Sequence, residues 1–193
     1  APCEPYDDMY DPANMGLPNF ADRPIETLSP TLYSNRARLD GAHHDPDRMR
    51  RLRALYQGLV SHVDDGVGRI LAELDALGLS DNTVVLFISD HGEMMGDHGL
   101  CQKNCPYESS VRTPYLLRWP GKTEPGRGCT DLVSLLDVFP TLIEELGLTY
   151  PEEHGPLTGA SLIGAEGGGL SQPRDAMVID YGQNAGRWLA VCT

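Results

Sequence analysis

The run Val84-Val85-Leu86-Phe87-Ile88, followed at once by Ser89-Asp90-His91-Gly92-Glu93, constrains this chain more than any other feature. Five successive apolar residues, rich in β-branches, predict a strand buried on both faces, as in a sheet covered by helices. Open α/β sheets bind ligands beyond the carboxyl ends of their strands. Asp90 and His91 stand at such an end. A hard oxygen donor next to an imidazole is a pair of side chains able to hold a divalent cation. The same two residues, taken alone, also fit a strand-ending turn with a capping aspartate and a surface histidine.

The flanking sequence supplies helices for that sheet. Asp45 is a good N-cap and Pro46 suits the first helical position. Leu52, Leu55, Leu59, Val63, Val67, Ile70, Leu71, Leu74 and Leu77 recur at helical spacing, and Gly78 provides a C′ stop. That stripe is expected to be buried against other structure. Ser80-Asp81-Asn82 reads as a turn. Pro114 to Trp119 reads as a second strand ended by Pro120-Gly121, and Thr123 to Cys129 as a surface loop. Asp137 is expected to cap a shorter helix over Val138 to Leu146, with Gly147 after it. Ala176 to Tyr181 and Arg187 to Cys192 are candidate strands, and Tyr150 to Pro173 is a Gly/Pro-rich connection. Residues 1–44, punctuated by six prolines, read as an irregular arm pinned by Tyr6, Met9, Tyr10, Leu17 and Phe20. The expected organisation is one partial α/β domain over 1–193, with the arm at 1–44, a helix–strand core at 45–149, and a connection with the first of the later strands at 150–193.

A chain of 193 residues can bury one sizeable core. Its net charge of -13 argues against nucleic acid and against anionic membrane surfaces as partners. No apolar run approaches membrane-spanning length, and the opening Ala1-Pro2-Cys3-Glu4-Pro5 lacks the pattern of a signal peptide. Five cysteines are an odd number, read as free thiols. Cys101 and Cys105 have no second closely spaced pair, which disfavours structural zinc. Free thiols and the lack of Asn-x-Ser/Thr sites lean toward a bacterial cytoplasm, and the compartment stays open.

Downstream of Asp90-His91 the loop carries His98 in Gly96-Asp97-His98-Gly99, then Lys103. An ammonium following a cation site suits an anionic ester held between the two: the metal polarises one oxygen and the lysine offsets charge on others. His98 is a candidate donor behind the metal ligands. Glu108 and Arg112, four apart, read as a scaffold pair. His62 and Asp65 read as a solvated helix face, and His43-His44-Asp45 as a cap with loop histidines rather than a metal cluster.

The stretch Ser89-Asp90-His91-Gly92-Glu93-Met94-Met95-Gly96-Asp97-His98-Gly99-Leu100, with Lys103, Tyr107-Glu108 and Ser110-Val111-Arg112-Thr113-Pro114, resembles the sulfatases of the alkaline phosphatase superfamily. Pro5-Tyr6-Asp7-Asp8-Met9-Tyr10-Asp11-Pro12, Val60-Ser61-His62-Val63-Asp64-Asp65, Trp119-Pro120-Gly121, Ser134-Leu135-Leu136-Asp137, Pro140-Thr141 and Gly159-Ala160-Ser161-Leu162 are similar to segments on either side in that family.

The resemblance implies part of an α/β/α sandwich around a mixed sheet. It implies that Asp90 and His91 are two ligands of a divalent cation, most often Ca2+, with Mg2+ or Mn2+ as substitutes. It implies that Lys103 contacts the sulfate group of a small sulfated substrate. The family's nucleophile, a formylglycine made from a Cys/Ser-x-Pro-x-Arg motif, has no counterpart: Cys3-Glu4-Pro5-Tyr6-Asp7 lacks the arginine. The chain is therefore expected to be a middle-to-late portion of a sulfatase, inactive and weak in metal binding alone, and prone to self-association or to pairing with the missing N-terminal part. A phosphonate monoester or phosphodiester hydrolase, or a non-catalytic binding protein on the same scaffold, are the alternatives.

Overall fold

A computed structural model describes residues 2–19, 45–163, 171–182 and 188–193. The described residues fall into two compact units, Ala1–Ser80 with His91–Thr113 and Tyr181–Trp188, and Asp81–Asp90 with Pro114–Asp180 and Leu189–Thr193.

The first unit is built on helix α1, Pro46–Ala76. The Asp45 carboxylate accepts from the backbone N–H groups of Asp47 and Arg48, and Pro46 fills a position whose N–H has no helical partner. The helix ends at Leu77, and Gly78 takes the left-handed φ of +67° that a side chain resists. Both ends therefore follow the sequence. The burial does not. Met49, Ala54 and Gly58 are the buried residues of α1, whereas Leu59 is 41% exposed and Ile70 63%. Among the described residues the stripe is largely exposed, and the arm's short 3-10 turn, Pro12–Asn14, is the secondary-structure element that packs extensively on α1. The arm crosses near Gly58, where a Cβ would collide with the Tyr6 carbonyl oxygen.

Tyr6 and Tyr10 pin the arm as expected. The Tyr6 hydroxyl donates to Asp65 at 2.5 Å and its ring stacks on His62, 4.6 Å between centroids. That hydrogen bond pushes the Tyr6 phenol above its ordinary range. Tyr10 and Ser61 share a hydroxyl hydrogen bond of 2.7 Å. Thus His62 and Asp65 hold the arm rather than merely facing solvent. Met9 and Leu17 are exposed and pin nothing, and Pro18 is buried instead. Phe20, His43 and His44 lie outside the described residues.

In the second unit, β1 (Val85–Ile88) pairs antiparallel with β2 (Tyr115–Arg118), in the register Val85↔Arg118 to Ile88↔Tyr115. Leu86, Tyr115 and Leu117 face Val138 and Leu142 of helix α3 (Val138–Glu145), with Leu162 beside them, around a cavity of about 10 Å³. The opposite face carries Phe87 and Leu116, of which Leu116 is exposed, and Ile88 is exposed at the strand's end on the first face. The expectation of a strand buried on both faces is corrected: among the described residues β1 has one neighbouring strand and one covered face. Two further strands, β3 (Met177–Tyr181) and β4 (Trp188–Cys192), pair with each other. Helix α2 is a single turn, Glu108–Val111, in the first unit.

Asp137 is not the surface cap the sequence suggests. Ser134 caps a short 3-10 turn, Leu135–Asp137, with reciprocal bonds to Asp137 in a capping box. The Asp137 side chain has no exposure; it accepts from Ser134 N at 2.6 Å, Ala160 N at 2.9 Å and the Arg174 guanidinium at 2.7 Å. Such a buried carboxylate persists because every partner is supplied.

Candidate functional site

Residues 91–105 form a loop whose backbone is unusually constrained. Met95, His98, Gln102 and Asn104 all have left-handed φ, between 43° and 77°, and no other described non-glycine residue does. Conformations this rare in side-chain-bearing residues persist where surrounding contacts over-determine them. Those contacts are visible. Met94 N donates to Gln102 O and Gly96 N to Leu100 O, both at 2.9 Å, closing the loop on itself. The Glu93 carboxylate accepts from Gln102 N at 2.5 Å. Met94, Leu100 and Cys105 are buried together beneath Tyr107. Burial pushes the Cys105 thiol up, which keeps it neutral and a poor nucleophile.

His91 sits at the start of this loop. Its Nδ1 lies 2.8 Å from the Gly92 carbonyl oxygen, an acceptor, so the hydrogen-bond network assigns the proton to Nδ1 and leaves the lone pair on Nε2. Lys103 Nζ stands 2.6 Å from that Nε2. The structure thus brings together two of the residues singled out in the sequence, twelve positions apart. Gly92 is required by the packing: its N donates to Ser110 O at 2.7 Å, and a Cβ would collide with the Ser109 carbonyl oxygen.

His98 stacks on Tyr107, 4.1 Å between ring centroids and 17° between planes, while its backbone N–H donates to Asn19 O at 2.7 Å. Glu108 and Arg112 pair at 3.6 Å on an exposed turn, as a scaffold pair would. Asp90 follows β1 at a bend in the second unit and is exposed.

Asp90 and His91 are each of a chemistry that suits a divalent cation. His91 offers a basic Nε2 held in one tautomer from behind, the usual support for a metal-bound imidazole, and Asp90 offers an accessible carboxylate. Among the described residues, no three His, Cys, Asp or Glu side chains gather into a cation site, and hard cations take six or more oxygens. Cys3 is exposed and a free thiol, and Asp7 stands where a formylglycine motif needs arginine, so the residues present do not fit that nucleophile.

Sequence reading missed Asp97. Its carboxylate accepts from Asn19 N at 3.0 Å and Ser109 Oγ at 2.9 Å, and meets Arg53 at 3.5 Å. Its position inside Gly96-Asp97-His98-Gly99 was the available signal.

Comparison with known proteins shows what the chain as a whole resembles. The chain is 37% identical over 118 residues to an arylsulfatase of Clostridium perfringens, covering 60% of this chain and 24% of that protein. It is 33% identical over 161 residues to the multifunctional alkaline phosphatase superfamily protein PehA of Trinickia caryophylli, covering 76% and 31%. The solved phosphonate monoester hydrolase of Silicibacter pomeroyi superposes with a TM-score of 0.78 at 28% identity, over 92% of this chain and 37% of that one. The chain spans about a quarter to a third of the length of these curated relatives. Its fold is α/β of the alkaline-phosphatase-like kind, and membership implies use of a divalent cation. Residues 16–148 match the sulfatase family, and the chain belongs to that family.

Proposed function

We propose that this chain contributes the cation- and anion-binding loop of an enzyme that hydrolyses small sulfate esters. The observation that carries the reading is the placement of Lys103 Nζ at 2.6 Å from His91 Nε2 within a stretch that matches the sulfatase family. Asp90 and His91 supply two ligands to the cation, most often Ca2+ in this family, with Mg2+ or Mn2+ as substitutes. A bound cation supplies Lewis-acid polarisation of an ester oxygen. Lys103 contributes a mobile positive charge beside it, which offsets the charge developing on the anionic group and its leaving oxygen. His91 donates its Nδ1 proton to Gly92 O and so presents the Nε2 lone pair, which accepts from Lys103 here and would turn to the cation once one is bound. The family's expected nucleophile, formylglycine, has no matching Cys/Ser-x-Pro-x-Arg motif among these residues.

A phosphonate or phosphate ester is the second reading. It is favoured by the likeness to the phosphonate monoester hydrolase, since both anions are tetrahedral. The uncovered stripe of α1 supports the expected association, with itself or with further polypeptide of the same enzyme.

The deciding experiment uses the full-length enzyme carrying this chain and compares turnover of an aryl sulfate with that of an aryl phosphonate monoester. Preference for the sulfate by a hundredfold or so supports the sulfatase reading; the reverse preference replaces it. In that enzyme Lys103→Ala is expected to cut turnover about a hundredfold or more with metal content unchanged, within the range of single charge-stabilising groups. Asp90→Asn is expected to lower metal content as well. Full turnover by Lys103→Ala would remove Lys103 from its role.

A further inference from the structure

We propose that Asp97 is a positioning residue for His91, acting through the Ser109–Ser110 turn. The proposal rests on the reading of His91 as a ligand, and its geometry lies wholly within the first unit. Asp97 gathers three separate parts of that unit: the arm through Asn19 N, helix α1 through Arg53, and the α2 turn through Ser109 Oγ. The turn it holds is the one that holds Gly92. Ser110, itself buried, accepts from Gly92 N at 2.7 Å, and the Ser109 carbonyl oxygen packs so closely on Gly92 that no Cβ fits between them. Gly92 in turn presents the carbonyl that holds His91 Nδ1 at 2.8 Å.

The path is therefore short and continuous: carboxylate, serine hydroxyl, serine backbone, glycine backbone, imidazole. Each link is a hydrogen bond or a close backbone contact. A charged acceptor suits the first link, because hydrogen bonds to ionised groups are the stronger kind. Groups that hold a metal-bound imidazole from behind fix its tautomer and orientation; here that support extends one layer further back, to a residue twelve positions before the turn it anchors.

The test reads the His91 ring directly by long-range proton–nitrogen NMR at pH ~8.5, above the ordinary imidazole range. In the unaltered protein and in Lys103→Ala the two ring nitrogens should show well-separated shifts, with the proton on Nδ1. In a Lys103→Ala background, where the ammonium 2.6 Å from Nε2 no longer holds the same tautomer, Ser109→Ala and Asp97→Ala should each collapse that separation toward a mixture of tautomers. Ser109→Thr, which keeps the hydroxyl, should restore it. His62, stacked on Tyr6 midway along α1, should be unchanged in all of them. Should Asp97→Ala fail to fold, Ser109→Ala decides alone. A His91 signature that is identical with and without Ser109→Ala in that background overturns the proposal, as does failure of Ser109→Thr to restore it. No ester or metal enters the measurement, so an enzyme that turns out to prefer phosphonates leaves this result standing.

Discussion

Asp97 and Asp137 each accept from three partners drawn from separate stretches of chain, yet one side chain is 25% exposed and the other not at all. Asp97 stands in the loop that carries His91 and Lys103. Asp137 stands at the start of α3 in the second unit, with two backbone N–H groups and Arg174 satisfying it. The comparison separates two uses of one side chain. A fully enclosed carboxylate with an ionic partner closes a core. A partly open one, bracketed by left-handed backbone, holds a working loop in place.

Substitution at each end of that comparison should have different consequences. Asp137→Ala leaves the guanidinium of Arg174 and two buried N–H groups without their acceptor, and should cost about 3–5 kcal/mol by denaturant unfolding. A loss below about 1 kcal/mol would end the view of Asp137 as a structural hub. Gly92→Ala forces a methyl against the Ser109 carbonyl and should cost about 3 kcal/mol. Unlike Asp137→Ala, it should also abolish the fixed tautomer of His91 in the Lys103→Ala background.

Tyr115 offers a milder probe of the second unit. Burial, with a smaller contribution from the nearby Asp137 charge, pushes its phenol up to about 12, and its hydroxyl has no hydrogen-bond partner among the described residues. Below pH 10 the group is neutral in both folded and unfolded chains. Between 10.0 and about 12 the unfolded chain gives up the proton first, so stability should fall as pH rises, by roughly 2–3 kcal/mol in all. Tyr115→Phe should remove that alkaline loss and stabilise the chain by up to about 1 kcal/mol at neutral pH, because it deletes a buried, unpaired hydroxyl. Destabilisation by more than that would reveal a partner for the hydroxyl. The smallest effect is expected for Leu59→Asp. The stripe pattern alone places Leu59 in a core and predicts unfolding, but at 41% exposure the change should cost less than about 1 kcal/mol in this chain. In an assembly that covers α1 the same change should weaken association.

What could be read in advance follows from the range of the forces involved. Asp45, Pro46 and Gly78 act within a few residues, so both ends of α1 were legible. The four strands were found within a residue at most boundaries because their apolar runs are bounded by Pro, Gly and charge. What covers an apolar face is a long-range matter, and the periodicity of Leu59, Val63 and Ile70 is silent on it. Asp137 was taken for a cap because Val138 begins a helix, while its partner Arg174 lies 37 positions away. At the site, the sequence singles out Asp90, His91 and Lys103, and the structure brings Lys103 to His91; their roles are a proposal. The role of Asp97 was hidden because its partners Asn19, Arg53 and Ser109 carry no shared pattern.

The left-handed backbone at Met95, His98, Gln102 and Asn104 narrows the alphabet available to this loop. Valine, isoleucine or threonine at these four places would be rejected on steric grounds before any question of turnover arose. When two proteins agree there, the agreement speaks first of a common main-chain path and only afterwards of common chemistry. A designer varying this segment would do well to draw from glycine, asparagine and aspartate, and to look for altered specificity at the intervening positions.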